Sequence, residues 1–382
     1  MRERAVAEFQ KRFGRLPKSV VRAPGRVNLL GGHTDYNEGY VLPLAIDQAA
    51  WVAAARRTIR QVQIAALDLD ENTEFSLDPV PPRQGDWADY PRGVAWALQR
   101  AGYQLEAIAA VLTSDVPVGA GLSSSAAVEV AFAWTWRVLS QLELDRTEAA
   151  RLCQQAENEY VGLRCGVMDQ MASAWGRAHH ALLLDCRTLE VRPVPLPPSV
   201  AIVVADTKVR RELAASEYNR RRQECEAAVR ILARHEPGIR ALRDLTLESF
   251  DRLAHHLPDL LRRRVRHVVT ANARVLAAAA ALEEGDLVRV GDAMRRCHES
   301  LRDDYEVSSL ELDLLADAAS GVPGCYGARM TGGGFGGCVV ALAEQAAVED
   351  LTWALEQAYV QRFNHRPAIY VTRAADGVSL IP

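Results

Sequence analysis

From Val116 to Trp134 the chain reads VPVGAGLSSSAAVEVAFAW, and no other stretch narrows the fold as much. An apolar strand, Ile108 to Ser114, runs into a glycine turn, three serines follow, and a helical run extends from Ser124 to Leu142. Glycines let a backbone come close to an anion, and the free N–H groups at a helix start favour negative charge. Hydroxyls add hydrogen bonds or a magnesium ligand. The segment therefore has the make-up of a phosphate cradle, although a Gly/Ser turn can equally be only a turn. A Walker loop requires G-x-x-x-x-G-K-[ST], and the lysine is absent, which removes the P-loop reading.

Two further segments flank this one at a distance. Upstream, APGRVNLLGGHTDYNEGYVLP (Ala23 to Pro43) packs Arg, His, Asp, Asn and Gly into what reads as a loop between short strands, Ser19 to Arg22 and Val41 to Ile46. That density of donors and acceptors suits a polyol, and it also suits a turn-rich connector. Downstream, GARMTGGGFGGCVVAL (Gly327 to Leu342) contains a formal G-x-G-x-x-G in Gly332, Gly334 and Gly337. A strand follows it where a dinucleotide site needs a helix, so the glycines are read as letting a strand connection pass close to a ligand or a facing domain.

The rest of the chain bounds these motifs. At 382 residues it is long enough for two domains, and 49% hydrophobic with 25% charged residues is an ordinary globular composition. The net charge is -4, from 45 Lys plus Arg against 49 Asp plus Glu, which offers no basic field for nucleic acid and favours a small-molecule partner. Arginine clusters at 220–222 and 262–264 are read as solvated helix faces. Seven cysteines show neither C-x-x-C pairs nor a Cys/His cadence and read as free buried thiols. Met1 to Arg15 is a charged amphipathic helix pattern, and no apolar span is long enough for a membrane, so the expected location is the cytoplasm.

Trp51 to Arg56 and Val62 to Ala66 continue the β pattern, and helices are expected around Pro91 to Ala101, from Asp145 to about Gly162, and from Val167 to Trp175. A strand at Ala181 to Asp185 leads to the proline-rich link Pro193 to Pro198, the candidate domain boundary. It separates an N-terminal domain, 1–190, with the Ala23 to Pro43 loop and the Gly/Ser loop from a C-terminal domain, 191–382, with the third motif. Beyond it the pattern gives a strand at Ala201 to Asp206 and helices at Glu212 to His235, Asp259 to Glu283 and Leu287 to Asp304. Strands follow at Cys325 to Met330, Cys338 to Ala343 and Ala368 to Thr372.

Taken in order, the three segments resemble the signature motifs of the GHMP small-molecule kinases, and the first resembles the galactokinase signature. CGVMDQMASAWGRAHHALLLDCRTLE (Cys165 to Glu190) and SEYNRRRQEC (Ser216 to Cys225) extend the likeness over most of the chain. The resemblance implies an α+β fold: an N-terminal α/β domain of ribosomal-protein-S5-like topology, a C-terminal α+β domain, and the active site in the cleft between them. It implies transfer of the γ-phosphate of ATP to a sugar's anomeric hydroxyl, with galactose as the sugar. Asp169, in the first turn of its helix, matches the catalytic base, and Arg26 matches the arginine that keeps that carboxylate ionised and stabilises the transferring phosphoryl. Gly119, Ala120, Gly121, Leu122, Ser123, Ser124 and Ser125 match the nucleotide-phosphate positions. Ser125 and Glu157 match the Mg2+ ligands, and Gly32, His33, Thr34, Asp35, Gly166 and Tyr218 match the positions that grip the sugar.

One position departs from the pattern. The galactokinase signature reads G-E-H-T-D, and here its second residue is Gly32. The family's Glu contacts the sugar's 6-hydroxyl, a bond worth about 1.5 to 3 kcal/mol, so the expected alternative is an arabinokinase-like or relaxed-specificity sugar 1-kinase. A non-catalytic sugar and ATP sensor and another GHMP enzyme, such as a mevalonate or homoserine kinase, are the remaining competitors. A monomer is the expected state.

Overall fold

The computed structural model describes residues 1–210 and 214–382. Its first part runs α1 (Arg2–Phe13), β1 (Ser19–Asn28), β2 (Tyr40–Val41), β3 (Pro43–Arg56), β4 (Gln61–Ala66), β5 (Glu71–Ser76), α2 (Asp89–Arg100) and β6 (Ile108–Ser114). Strand alternation explains the layering. In the antiparallel β1–β3 pair Val20 faces Ala53, and both join Ala5 and Phe9 of α1 in a small core on one side of the sheet. Their neighbours Val21 and Val52, also paired, point into the main core on the other side.

That other side is covered by α3 (Ser124–Leu139), which packs on β1 and β3. Its apolar residues run around the whole helix, with Phe132, Trp136 and Val130 fully buried, because α2, α4 (Arg146–Gln155) and α5 (Met168–Trp175) enclose it from the remaining directions. Asp145 accepts a bond from the Glu148 N–H and caps α4, whose last turn widens into a π-helical turn, Ala156–Val161, stopped by Gly162.

The chain then forms β7 (His180–Asp185), β8 (Val191–Pro195), β9 (Val200–Asp206), α6 (Ala214–Leu232), α7 (Leu247–Leu253), α8 (Asp259–Glu284), α9 (Leu287–Asp303) and α10 (Leu310–Ser320). It ends with β10 (Cys325–Thr331), β11 (Cys338–Glu344), α11 (Val348–Phe363), β12 (Ala368–Thr372) and β13 (Ser379–Leu380). Three sheets result, in the orders β13-β1-β3-β6-β4-β5, β10-β11-β9-β12 and β2-β7-β8. The helix and strand content is that of the expected α+β class.

Several local expectations need correction. The strand expected at Ser19 to Arg22 continues to Asn28, so Arg26 is held on a strand paired with β3 and not on a loop. The two strands expected at Val41 to Ile46 and Trp51 to Arg56 are one, β3, after the short β2. Pro193 and Pro195 belong to β8, an edge strand, where the missing N–H costs no ladder bond. The expected helix start at Glu212 lies outside the described residues. Helices α7 and α10 and strands β5 and β13 were not anticipated, the last because two residues carry no periodicity.

The arginine clusters are not simply solvated. Arg221 and Arg264 are buried, Arg264 bonding Glu224, Glu306 and the Asp304 carbonyl, and Arg221 the carbonyls of Tyr305 and Glu306. All seven cysteines are free, five of them buried. Among the described residues no helix is long and apolar enough to cross a membrane.

Candidate active site

A cavity of about 510 Å³ opens along the line where β1, the phosphate loop and α5 meet the loop between β10 and β11. Its wall includes Arg26, Gly32, His33, Asp35, Gly119, Gly121, Ser123, Ser124, Ser125, Glu157, Asp169 and Tyr218, so most of the residues singled out from sequence come together in one place. Ala120, Leu122, Thr34 and Gly166 stand behind the wall. The Thr34 hydroxyl is engaged with the carbonyls of Gly31 and Tyr40. A Cβ on Gly166 would lie 2.2 Å from Asp35 Oδ2, so the glycine makes room for that carboxylate.

At the transfer end, Arg26 Nε and Nη2 each donate a 2.7 Å bond to the two oxygens of Asp169. This two-pronged contact fixes both side chains in one plane. The third guanidinium nitrogen donates to the Gly121 carbonyl at 2.7 Å, and Ser123 Oγ donates to Asp169 Oδ2 at 2.5 Å. The loop is tied to the carboxylate from both sides. Gly119 and Gly121 have φ of 70 and 77°, and Ser123, at the start of α3, has φ of 59°. Left-handed backbone at these points turns the loop so that α3 begins at the cavity wall. The loop between β10 and β11 closes over it: a Cβ on Gly332 would sit 3.2 Å from the Gly121 Cα, and Cys338 Sγ donates to the Ala120 carbonyl at 2.7 Å.

The opposite end is lined by aromatic rings. His33 Nε2 lies 3.1 Å from the Gly333 carbonyl, which can only accept, so Nε2 carries the proton and Nδ1 accepts from the Tyr36 hydroxyl at 2.9 Å. Tyr36 oxygen then accepts from Tyr305 at 2.8 Å, and Tyr305 oxygen from Cys225 Sγ at 3.1 Å. One backbone carbonyl thereby orients four side chains. Burial lowers His33 to about 3, helped by His267 nearby, so the ring stays neutral and this order holds. Burial pushes Asp35 up to about 6, and the charge of Asp169 adds to the effect. Tyr218 packs against His33 and Tyr36, with ring centroids 5.2 and 5.4 Å away.

Glu157, on the π-helical turn, is buried; Oε1 accepts from Ser125 Oγ at 3.1 Å, and Oε2 accepts from Gln170 Nε2 at 2.7 Å and Cys165 Sγ at 3.1 Å. Burial raises its carboxyl, and Asp169 raises it further. A buried acid that gains from a nearby positive charge, bonded to a serine hydroxyl on the cavity wall, fits a magnesium ion, which takes one or two protein oxygens and completes its shell with phosphate oxygens and water.

Sequence reasoning missed Tyr36, Tyr305, Gln170, Arg210 and Phe335. Tyr36 adjoins Asp35 in the motif and was within reach. Tyr305 arrives from beyond α9, and Arg210 from the end of β9, where no local pattern marks them.

A phosphate loop at a helix start, an ion-paired carboxylate beside it and a polar, aromatic pocket beyond it define a small-molecule kinase. Family models agree: the GHMP kinases N terminal domain matches residues 89–177, the GHMP kinases C terminal domain residues 278–361, and the galactokinase galactose-binding signature residues 7–56. The galactokinase of Roseiflexus sp. (strain RS-1) is 52% identical over 98% of this chain and 95% of its own length, and that of Chloroflexus aggregans (strain MD-66 / DSM 9485) 48% identical over 98% and 96%. A Lactococcus lactis galactokinase crystallised with galactose superposes with a TM-score of 0.94 at 34% identity, covering 98% of both chains. A mevalonate kinase, at 16% identity, shares the fold with a TM-score of 0.63 over 93% of this chain and 98% of its own. The chain belongs to the galactokinase family and is an ATP-dependent sugar kinase. Relatives of this identity do not favour the arabinokinase-like alternative.

Proposed function

We propose that this chain transfers the γ-phosphate of ATP to the anomeric hydroxyl of galactose, yielding galactose 1-phosphate and ADP. The contact that carries the reading is the Arg26–Asp169–Ser123 cluster at the start of α3. Asp169 accepts the proton of the attacking hydroxyl, at an oxygen that Arg26 and Ser123 hold in a fixed direction. Arg26 stands where negative charge grows on the phosphoryl group during transfer, and the N–H groups of Gly119 to Ser125 receive the phosphates. Phosphoryl transfer demands mostly alignment and charge neutralisation, which is what a fixed ion pair and an oriented backbone provide.

Ser125 and Glu157 would hold magnesium, which supplies neutralisation of the phosphate charge. Asp35 and Tyr218 grip the sugar. Neutral His33 has its donor and acceptor already committed, so it shapes the pocket, while Asp35 accepts from hydroxyls of the polyol. The chain divides functionally into 1–190, which carries the sugar motif and phosphate loop, and 191–382, which supplies the closing glycine turn.

The test is ATP consumption over a panel of sugars, with the position of the phosphate in the product read by NMR. Turnover with galactose and phosphate on the anomeric oxygen is the expected result. ATP consumption with no added sugar, or phosphate at another oxygen, overturns it, and binding of both ligands without turnover would reveal a sensor.

A further inference from the structure

Behind the Ser125–Glu157 pair lies a second carboxyl group that the transfer chemistry leaves without a role. Glu129, on α3, is fully buried, and so is Gln170, on α5 next to Asp169. The Gln170 amide nitrogen donates to Glu129 Oε2 at 3.0 Å and to Glu157 Oε2 at 2.7 Å, and so bridges the two acids. Both of its hydrogens are then spent. Glu129 Oε1 and Gln170 Oε1 remain buried with no hydrogen-bond partner. Two orphaned acceptors in one buried cluster are costly.

A single proton resolves both. A carboxylic acid and a carboxamide pair through two parallel bonds, N–H to carbonyl oxygen and O–H to amide oxygen, and the first of these is already in place. A proton on Glu129 Oε1 supplies the second. Burial drives Glu129 well above the usual carboxylate range, and the charge of Glu157 drives it in the same direction.

We propose that Glu129 is a positioning residue: a neutral carboxylic acid that locks the orientation of the Gln170 amide, so that Gln170 holds Glu157 by Oε2 and leaves Oε1 turned toward Ser125 and the cavity. An ionised Glu129 would place a second full charge beside Glu157. A Gln170 amide free to flip would point its oxygen at the Glu157 carboxylate and push it away from Ser125. The acid keeps its proton and forms no bond with substrate; its effect passes through Gln170 to Glu157. The proposal rests on the reading of Ser125 and Glu157 as the magnesium-facing pair, and its test separates the two.

The experiment measures Mn2+ binding to the full chain by electron paramagnetic resonance, with a non-hydrolysable ATP analogue present. Thermal unfolding of every variant is followed alongside. Gln170→Met and Glu129→Leu are expected to weaken Mn2+ about 10- to 100-fold, the range for residues that orient a ligand. Glu129→Gln rebuilds the paired bonds as two carboxamides and is expected to bind Mn2+ at wild-type affinity, while the infrared carbonyl band of a protonated carboxylic acid disappears. Mn2+ binding in Glu129→Gln as weak as in Glu157→Gln would show a charged Glu129 and overturn the proposal. So would wild-type binding in both Gln170→Met and Glu129→Leu, given the expected loss in Glu157→Gln. Wild-type binding in Glu157→Gln removes the magnesium reading itself, and the positioning role with it.

Discussion

Arg26 and Arg329 sit on strands of two different sheets that meet at Asn28, both buried, and their surroundings are opposite. Arg26, on β1, meets Asp169 through two bonds, and all three of its nitrogens have partners. Arg329, on β10, is fully buried; its Nη1 reaches the Asn28 carbonyl at 3.3 Å, while Nε and Nη2 have no partner and no carboxylate is bonded to it. Burial lowers its affinity for its proton, and the charge of Arg26 adds to that. The acids divide the same way: Asp169 is paired, whereas Asp35 is buried with no arginine bonded to it. The charges of Arg26 and Asp169 are thus cancelled within the protein. The Asp35 carboxyl at the Gly32 end has no bonded counter-charge, and it lines the cavity where a ligand with many hydroxyls can reach it.

The strongest test of this contrast removes the paired acid. Asp169→Asn keeps shape and loses both the proton acceptor and the charge that Arg26 faces, and kcat is expected to fall by about 10² to 10⁴. The same variant is expected to unfold more readily than wild type, because the nearly buried Arg26 loses its counter-ion. Turnover at the wild-type rate would remove Asp169 from the chemistry and leave the pairing a structural one.

The unpaired acid should behave in the opposite sense. Burial holds the Asp35 pKa at about 6 in the folded protein against its ordinary value of 3.8, so the folded state keeps this proton over a range where the unfolded chain has released it. Its contribution to stability is full below about 3.8 and is lost as pH rises to about 6. The difference corresponds to about 3 kcal/mol. Asp35→Asn is therefore expected to be more stable than wild type at pH 7, by up to that amount, with the gap closing below pH ~4. Sugar binding needs the acceptor form, so in wild type KM for the sugar should fall as pH rises through about 6, and this dependence should vanish in the variant. Urea titrations and initial rates across pH 4 to 8 check both limbs, and a flat stability difference would show that Asp35 is not desolvated.

Much of the transfer end was legible in the sequence, because its parts are local signals. The glycine turn, three serines and helix start are contiguous, and Asp169 lies in the first turn of a helix with a clear pattern. What joins them was not legible: that Arg26 lies on a strand, and that this strand runs past the start of α3, follows from sheet pairing between distant segments. At the Gly32 end the signals were weaker still. Tyr305, just past the end of α9, and Cys225, on α6, join the chain of bonds to His33 from 272 and 192 residues further along, and nothing near either residue announces the contact. Glu129 stood in plain view within the phosphate-loop helix, yet on a helix buried all round its polarity carried no direction until Gln170 was placed beside it.

The smallest expected effect tests why Arg329 is alone. A Cβ on Gly32 would lie 2.7 Å from Arg329 Nη2 and 3.4 Å from the Leu301 methyls. The closest atom is the end of a long flexible side chain, so it can yield, and the next is at ordinary contact distance. Gly32→Glu then brings a carboxylate to a guanidinium that lacks one. A charge-assisted bond of about 1.5 to 3 kcal/mol, less the cost of ordering the new side chain, leaves a net stabilisation of about 1 kcal/mol. Arg329→Met alone removes an unpaired buried charge and is expected to be neutral or stabilising. In that background Gly32→Glu buries a carboxylate with no partner and becomes destabilising, so the sign of one substitution reverses with the state of the other residue. A double-mutant cycle by denaturant unfolding reads the reversal directly. The same sign in both backgrounds would mean that residue 32 and Arg329 do not interact, and that the two ends of the cavity differ for some reason other than pairing.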